Sequence, residues 1–232
     1  IWVGGDKVFA GTQGCGVYSG DLGPDAGPVT WRAERSNKPV PSVYSLSVQV
    51  QPGNSKCIFV GANPGGLFRS DDGGVTFYDK NFLAPSVIVD DPKRQGYYTF
   101  AINSATPSEV WVGTWGKGIY KSYDGMDFDI GASGSHREMY GKHVNALLID
   151  STYGVLAATE EGVWRTTNGG ESWTDFGAGL GTGQIRTLQA SADGRLFCGT
   201  AGYEVYFRNP GDTAWRQAQA FDNFGTFWPI WN

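Results

Sequence analysis

Two histidines, three cysteines and a series of acidic turn residues are where this sequence could carry chemistry. His136 and His143 stand seven residues apart on one segment. Two imidazoles without a third ligand nearby fall short of the tetrahedral set that zinc takes. The acidic residues recur in turn-like stretches such as SDDGGVTF (70–77) and SYDGMDF (122–128). Each stretch offers one or two carboxylates, whereas calcium is held by about six to eight oxygens. An Asp or Asn in such a place is better employed accepting hydrogen bonds from the N–H groups of its own turn. Neither a strained serine elbow nor a phosphate-cradling GxxxxGK[ST] loop is present. No metal and no cofactor are therefore expected.

The cysteines point the same way. Cys57 (KCIFVG) and Cys198 (RLFCGT) fall inside strand-like segments, where cysteine serves as a small buried apolar residue, and Cys15 makes the count odd. The formal charge is 18 − 23 = −5 with no basic stripe, which argues against a nucleic-acid partner. No stretch approaches the ~20 apolar residues of a membrane helix. The N-terminal IWVGGDKVF lacks the charged start and apolar centre of a signal peptide.

The elements that position these residues are short strands. The 35 glycines and the 14% aromatic content suit many strands joined by tight turns. Five segments share one pattern, a strand ending in Gly/Ala-Thr or similar, a Gly-containing turn, and a second strand with an aromatic anchor. They are VFAGTQGCGVYS, IFVGANPGGLFRS, VWVGTWGKGIYKS, VLAATEEGVWRT and LFCGTAGYEVYFR. The anchors Tyr18, Phe68, Tyr120, Trp164 and Tyr206 are 50, 52, 44 and 42 residues apart, the spacing of propeller blades. A closing aromatic follows each anchor: Phe77, Trp173 and Trp215 after nine residues, Phe128 after eight, Trp31 after thirteen.

The turn between anchor and closing aromatic resembles the Asp-box of BNR-repeat propellers, Ser/Thr-x-Asp-x-Gly-x-Thr-Trp/Phe. Ser70, Asp72, Gly74, Thr76 and Phe77 match it fully, and Thr166, Asn168, Gly170, Ser172 and Trp173 match it with conservative changes. Ser122, Asp124 and Phe128 form a copy one residue short; the first copy is interrupted, and the fifth, RNPGDTAW, has lost its acid. The resemblance implies an all-β fold, a single five-bladed propeller of four-stranded antiparallel blades over residues 1–232. Inner strands are expected at 43–50, 97–103, 144–150 and 185–191, and second strands at 8–12, 57–62, 110–114, 155–159 and 196–200. Blade one lacks an inner strand ahead of Val8, so the apolar stretch 225–232 is expected to supply it and close the ring, with Pro229 an awkward member. The closing aromatics are expected to bury their rings between neighbouring blades.

In such a blade the turns between second and third strands share one face with the connections between blades. That face gathers Asn63, Trp115, Lys117, Tyr203 and Glu204, with Gln13, Glu160 and Glu161 beside them. Two long connections add Ile88 and Arg94 (in 81–96) and Arg137 and Tyr140 (in 131–143). Long loops on a rigid scaffold are where binding concentrates, and Trp, Tyr and Arg are favoured anchors.

The resemblance brings sialidases and other glycosidases into view, but the inner strands VYSLSVQV, YYTFAIN, VNALLID and IRTLQAS offer little for that chemistry. They supply one arginine, Arg186, and no paired carboxylates, with Asp150 at a strand end and Asp222 left over. The expectation is thus a non-catalytic protein-interaction propeller, an assembly factor or accessory subunit of a complex; at repeat level the chain resembles the photosystem II assembly factor, sortilin-type receptors and xyloglucanases. A carbohydrate-binding propeller is the alternative and a glycoside hydrolase the third reading. An extracytoplasmic location is implied by the resemblance alone.

Overall fold

The computed structural model describes residues 2–4, 7–12, 16–23, 28–33, 35–36, 48–51, 54–62, 66–79, 97–103, 105–106, 109–124, 138–181 and 183–218. Within them the secondary structure is strand throughout, arranged in five sheets. The first holds β1 (Trp2–Gly4), β2 (Lys7–Thr12), β3 (Gly16–Asp21) and β4 (Trp31–Ala33) in sequence order. The second holds β6 (Val48–Gln51), β7 (Asn54–Ala62), β8 (Gly66–Ser70) and β9 (Thr76–Asp79), with β5 (Arg35–Ser36) added in parallel on the β9 edge. The third is β10 (Tyr97–Ile102), β11 (Val110–Thr114) and β12 (Ile119–Ser122). The fourth is β13 (Val144–Asp150), β14 (Gly154–Thr159), β15 (Gly162–Thr166) and β16 (Thr174–Asp175). The fifth is β17 (Ile185–Ala190), β18 (Leu196–Thr200), β19 (Val205–Arg208) and β20 (Arg216–Gln217). This is a five-sheet β-propeller architecture of antiparallel meanders, as the repeat implies.

Register makes the sheets superimposable residue by residue. Trp111 pairs with Lys121, Leu156 with Arg165 and Phe197 with Phe207, so each second strand turns the same positions to the same side. One side of each sheet then packs on the opposite side of the next. Trp111 and Ile119 of the third sheet meet Leu147, Val155, Ala157 and Trp173 of the fourth. Leu156, Ala158 and Val163 of the fourth meet Leu188, Leu196, Cys198, Tyr206 and Trp215 of the fifth. Full burial of each such side chain contributes roughly 1.5–3 kcal/mol, so the seams hold the molecule together. Edge-on rings lock them: Trp111 and Trp173 at 6.1 Å and 86°, Phe176 and Trp215 at 6.4 Å and 87°. The Trp215 indole also donates to the Phe176 carbonyl at 2.8 Å.

The turns between third and outer strands are built by hydrogen bonds. Ser70 Oγ donates to Asp72 Oδ1 (2.7 Å) and accepts from the Gly74 N–H (2.8 Å). The Asp72 carboxylate accepts the N–H groups of Val75 and Thr76 (3.0 and 2.9 Å) and the Thr76 hydroxyl (2.5 Å). Thr166, Asn168, Gly170 and Ser172 repeat the arrangement with an amide in place of the acid, and Ser122 donates to Asp124. Gly74 must be glycine: φ is +89°, and a Cβ there would lie 2.6 Å from the Phe9 ring. In the fifth sheet the acid is displaced, not lost, because Asp212 accepts from both the backbone and the side-chain amide of Asn209.

Two expectations change. An inner strand does precede Val8, because Trp2–Gly4 pairs with Lys7–Phe9; the closure by 225–232 lies outside the described residues. Of the closing aromatics, Phe77, Trp173 and Trp215 are buried, but Trp31 is 44% exposed. Phe128 is outside the described residues. Cys57 and Cys198 are buried free thiols, pushed up to about 11 and about 12 by burial.

Candidate functional site: the turn face of the third to fifth sheets

A threonine at the end of the second strand builds the turn in every sheet but the second, where Ala62 stands instead. Thr12 donates to the Gly16 carbonyl (2.9 Å), Thr114 to Gly118 (2.8 Å) and Thr159 to Gly162 (3.0 Å). In the fifth sheet Thr200 Oγ1 instead accepts from the N–H groups of Gly202 and Glu204. This explains the Gly/Ala-Thr signature: the hydroxyl closes the turn that displays the residues following it.

Trp115 follows Thr114 and bridges to His143 in antiparallel fashion, and the two rings lie 4.7 Å apart. The Gly116 N–H donates to the Lys142 carbonyl (3.1 Å), tying the turn of the third sheet to the approach of the fourth. Glycine is needed at 118, where φ is +77° and a Cβ would press on the Met139 carbonyl at 3.0 Å. Met139 is fully buried and anchors the 138–141 turn, so its neighbour Tyr140 is held outward and exposed.

The carboxylates of the next turn are used for positioning. Glu160 Oε2 accepts the His143 N–H at 2.6 Å, and Glu161 pairs with Lys142. Lys142 Nζ also lies 4.6 Å from the Trp164 ring centroid. Asn145 donates to the Ile185 carbonyl (2.7 Å), joining the inner strands of the fourth and fifth sheets. In the fifth sheet Tyr203 adopts φ +68° and is 72% exposed, an aromatic held in backbone strain and projected into solvent. Glu204 beside it takes hydrogen bonds from Tyr206 OH (3.4 Å) and Gln217 (3.2 Å).

The predicted residues Trp115, Lys117, Tyr140, Tyr203 and Glu204 therefore belong to turns on one side of three consecutive sheets. Asn63, Ile88, Arg94 and Arg137 lie outside the described residues. Sequence reasoning weighed His143 only as a metal ligand and did not single out Lys142 as a site residue. Their signal was position, directly ahead of the inner strand that begins at Val144. No group of three or more potential metal ligands occurs among the described residues. The face thus offers aromatic surfaces, amides and carboxylates, the constituents of a site for a neutral polar ligand with apolar faces.

No known family's sequence profile matches the chain. Over 220 residues it is 29% identical to a xyloglucanase of Hypocrea jecorina (strain QM6a), a match covering 78% of this chain and 25% of that protein. The chain thus spans about a quarter of that relative's length. Among solved structures it resembles an ancestral GH74 enzyme with a TM-score of 0.69 at 18% identity, over 92% of this chain and 29% of the other. It also resembles the extracellular domain of a putative one component system of B. thetaiotaomicron, with a TM-score of 0.66 at 18% identity over 88% and 26%. At these identities the structural likeness shows the β-propeller fold. The xyloglucanase match overturns the expectation of a non-catalytic assembly factor or accessory subunit, and points to a glycoside hydrolase, ranked third from the sequence. In the sequence, carboxylates for catalysis were weighed only on the inner strands, and Glu160, Glu161 and Glu204 on the turns only as part of a binding face.

Proposed function

We propose that this chain is part of an extracytoplasmic glycoside hydrolase acting on a xyloglucan-type polysaccharide, and that the turn face of the third to fifth sheets binds the glycan. The observation that carries the reading is the 29% identity to a xyloglucanase sustained over 220 residues. The exposed rings of Trp115, Tyr140 and Tyr203 support it, because the C–H faces of sugar rings stack on aromatic surfaces while amides and carboxylates take the hydroxyls. Scission of a glycosidic bond uses an acid and a base or nucleophile, two carboxylates flanking the bond. Glu160, Glu161 and Glu204 are the carboxylates that the turns of these sheets supply. We read the Ser70–Phe77 and Thr166–Trp173 turns as Asp-boxes with a scaffold role, on the strength of their matching hydrogen bonds.

Calorimetric titration with xyloglucan oligosaccharides and with unsubstituted cello-oligosaccharides tests the reading, together with product release from the polymer. Binding is expected, weakened about tenfold by Trp115→Ala or Tyr203→Ala, as the loss of roughly 1.4 kcal/mol implies. Absence of both binding and product release would sink it.

A further inference from the structure

The second, third and fourth sheets each carry a cation on the third strand, on the side that packs against the following sheet. Register sets Arg69 opposite Phe59, Lys121 opposite Trp111 and Arg165 opposite Leu156. Two of the three are neutralised: Arg69 pairs with Asp71 at 2.7 Å and Lys121 with Glu109 at 3.0 Å. In the fourth sheet the places of those two acids are taken by Thr167 and Gly154. Arg165 accordingly makes no ion pair among the described residues, and its Nε donates to the Tyr153 carbonyl at 2.6 Å.

The fifth sheet adds a second cation to the same seam. Ser70, Ser122 and Thr166 end the third strands of the second, third and fourth sheets and are at most 2% exposed. Arg208 takes that position in the fifth, opposite Leu196 as Thr166 is opposite Val155. Leu156 and Leu196, the cross-strand partners of Arg165 and Arg208, meet in one core, so the two arginines face each other between the sheets. Both guanidinium carbons stand over the Phe176 ring, at 5.3 and 3.8 Å from its centroid. Arg208 is 8% exposed, and its Nε is buried with no hydrogen-bond partner among the described residues. Burial, and after it the Arg165 charge, hold this guanidinium below its ordinary value. The Asp212 carboxylate acts against that shift, but it already takes Arg216 at 3.1 Å and both N–H donors of Asn209.

A charge taken out of water is ordinarily paired, and neighbouring guanidiniums are suited to grip an oxyanion through parallel N–H donors. We infer that Arg165 and Arg208 form a binding site for an oxyanion group (carboxylate, sulfate or phosphate) beside Phe176 in the seam between the fourth and fifth sheets. The site lies where the third strands run into their outer-strand turns, at the opposite end of these sheets from the proposed glycan face, and stands independently of that reading.

Calorimetric titration of the whole chain with glucuronate, sulfate and phosphate, at constant ionic strength set by chloride, tests this. At least one of the three is expected to bind with a Kd of roughly 1 mM or below. Preference for glucuronate assigns the site to an acidic sugar, and preference for sulfate or phosphate to a free inorganic ion; both support it. Arg208→Ser, which restores the residue type of the repeat, and Arg165→Gln are each expected to weaken binding about tenfold. Asp212→Asn removes the competing charge while keeping an acceptor oxygen for Asn209, and is expected to tighten binding several-fold, a gain that a purely structural Arg208 would not give. Circular dichroism checks that each variant folds, and Arg165→Gln, at a half-buried position, decides the matter alone should Arg208→Ser not fold. No binding of any of the three anions would overturn the proposal. So would binding unchanged by the arginine variants, or weakened by Asp212→Asn.

Discussion

At the scale of single residues, the turn hydroxyls and acids have measurable duties. Burial pushes the Asp72 carboxyl up, but the hydrogen bonds from Thr76, Ser70 and Val75 outweigh it and hold the group below the usual carboxylate range. A group depressed in the folded state contributes stability that is present above its unfolded pKa and lost as pH falls through the folded one. Asp72→Asn copies Asn168, which builds the same turn without a charge. It should therefore cost about 1 kcal/mol or less at neutral pH and flatten the acid side of the stability profile, where Asp72→Ala should cost about 1–3 kcal/mol. Urea denaturation between neutral pH and the acid limb separates the two. Glu109 is a comparable case within the third sheet: burial raises it, and hydrogen bonds from Lys121, Trp111 and Asn103 bring it below its ordinary value. The turn residues were legible in the sequence because their partners lie two to four positions away. The contact of His143 with Trp115 was not, because it joins residues 28 apart through a bridge between sheets.

At the scale of elements, the strands were placed well because alternation and glycine punctuation are local signals. The expected 144–150 and 110–114 segments are strands of those bounds, while the second sheet's second strand begins earlier, at Asn54. Turn geometry sets a stricter condition. At Gly154, φ is +82° and a Cβ would lie 2.3 Å from the Thr166 carbonyl oxygen, a backbone atom that cannot move aside without breaking the β14–β15 ladder. Gly154→Ala is expected to destabilise by more than the roughly 1 kcal/mol that a compatible glycine replacement changes, with thermal unfolding as the readout. Gly73→Ala is the contrast, strained by its φ of +80° but meeting no atom within 4 Å, and should cost less.

At the scale of the whole molecule, stability resides in the seams. Lys121 shows how a seam is pinned: it pairs with Glu109 at 3.0 Å, stands over the Trp111 ring at 4.6 Å and reaches the Gly169 carbonyl of the next sheet at 3.4 Å. Trp111→Ala removes the ring that fills the seam between third and fourth sheets and should cost about 3–5 kcal/mol in chemical denaturation. Trp31→Ala, at an open position, should cost far less. By itself the sequence determined the repeat, the number of sheets and the turn chemistry, since these rest on contacts between residues close along the chain, but not the inner strand of the first sheet or the parallel β5 edge of the second. Only the tertiary structure decided which aromatics are buried and which are displayed. Trp173 and Trp31 occupy the same place in the repeat, yet one is sealed and the other exposed, because burial depends on whether another sheet packs against that side.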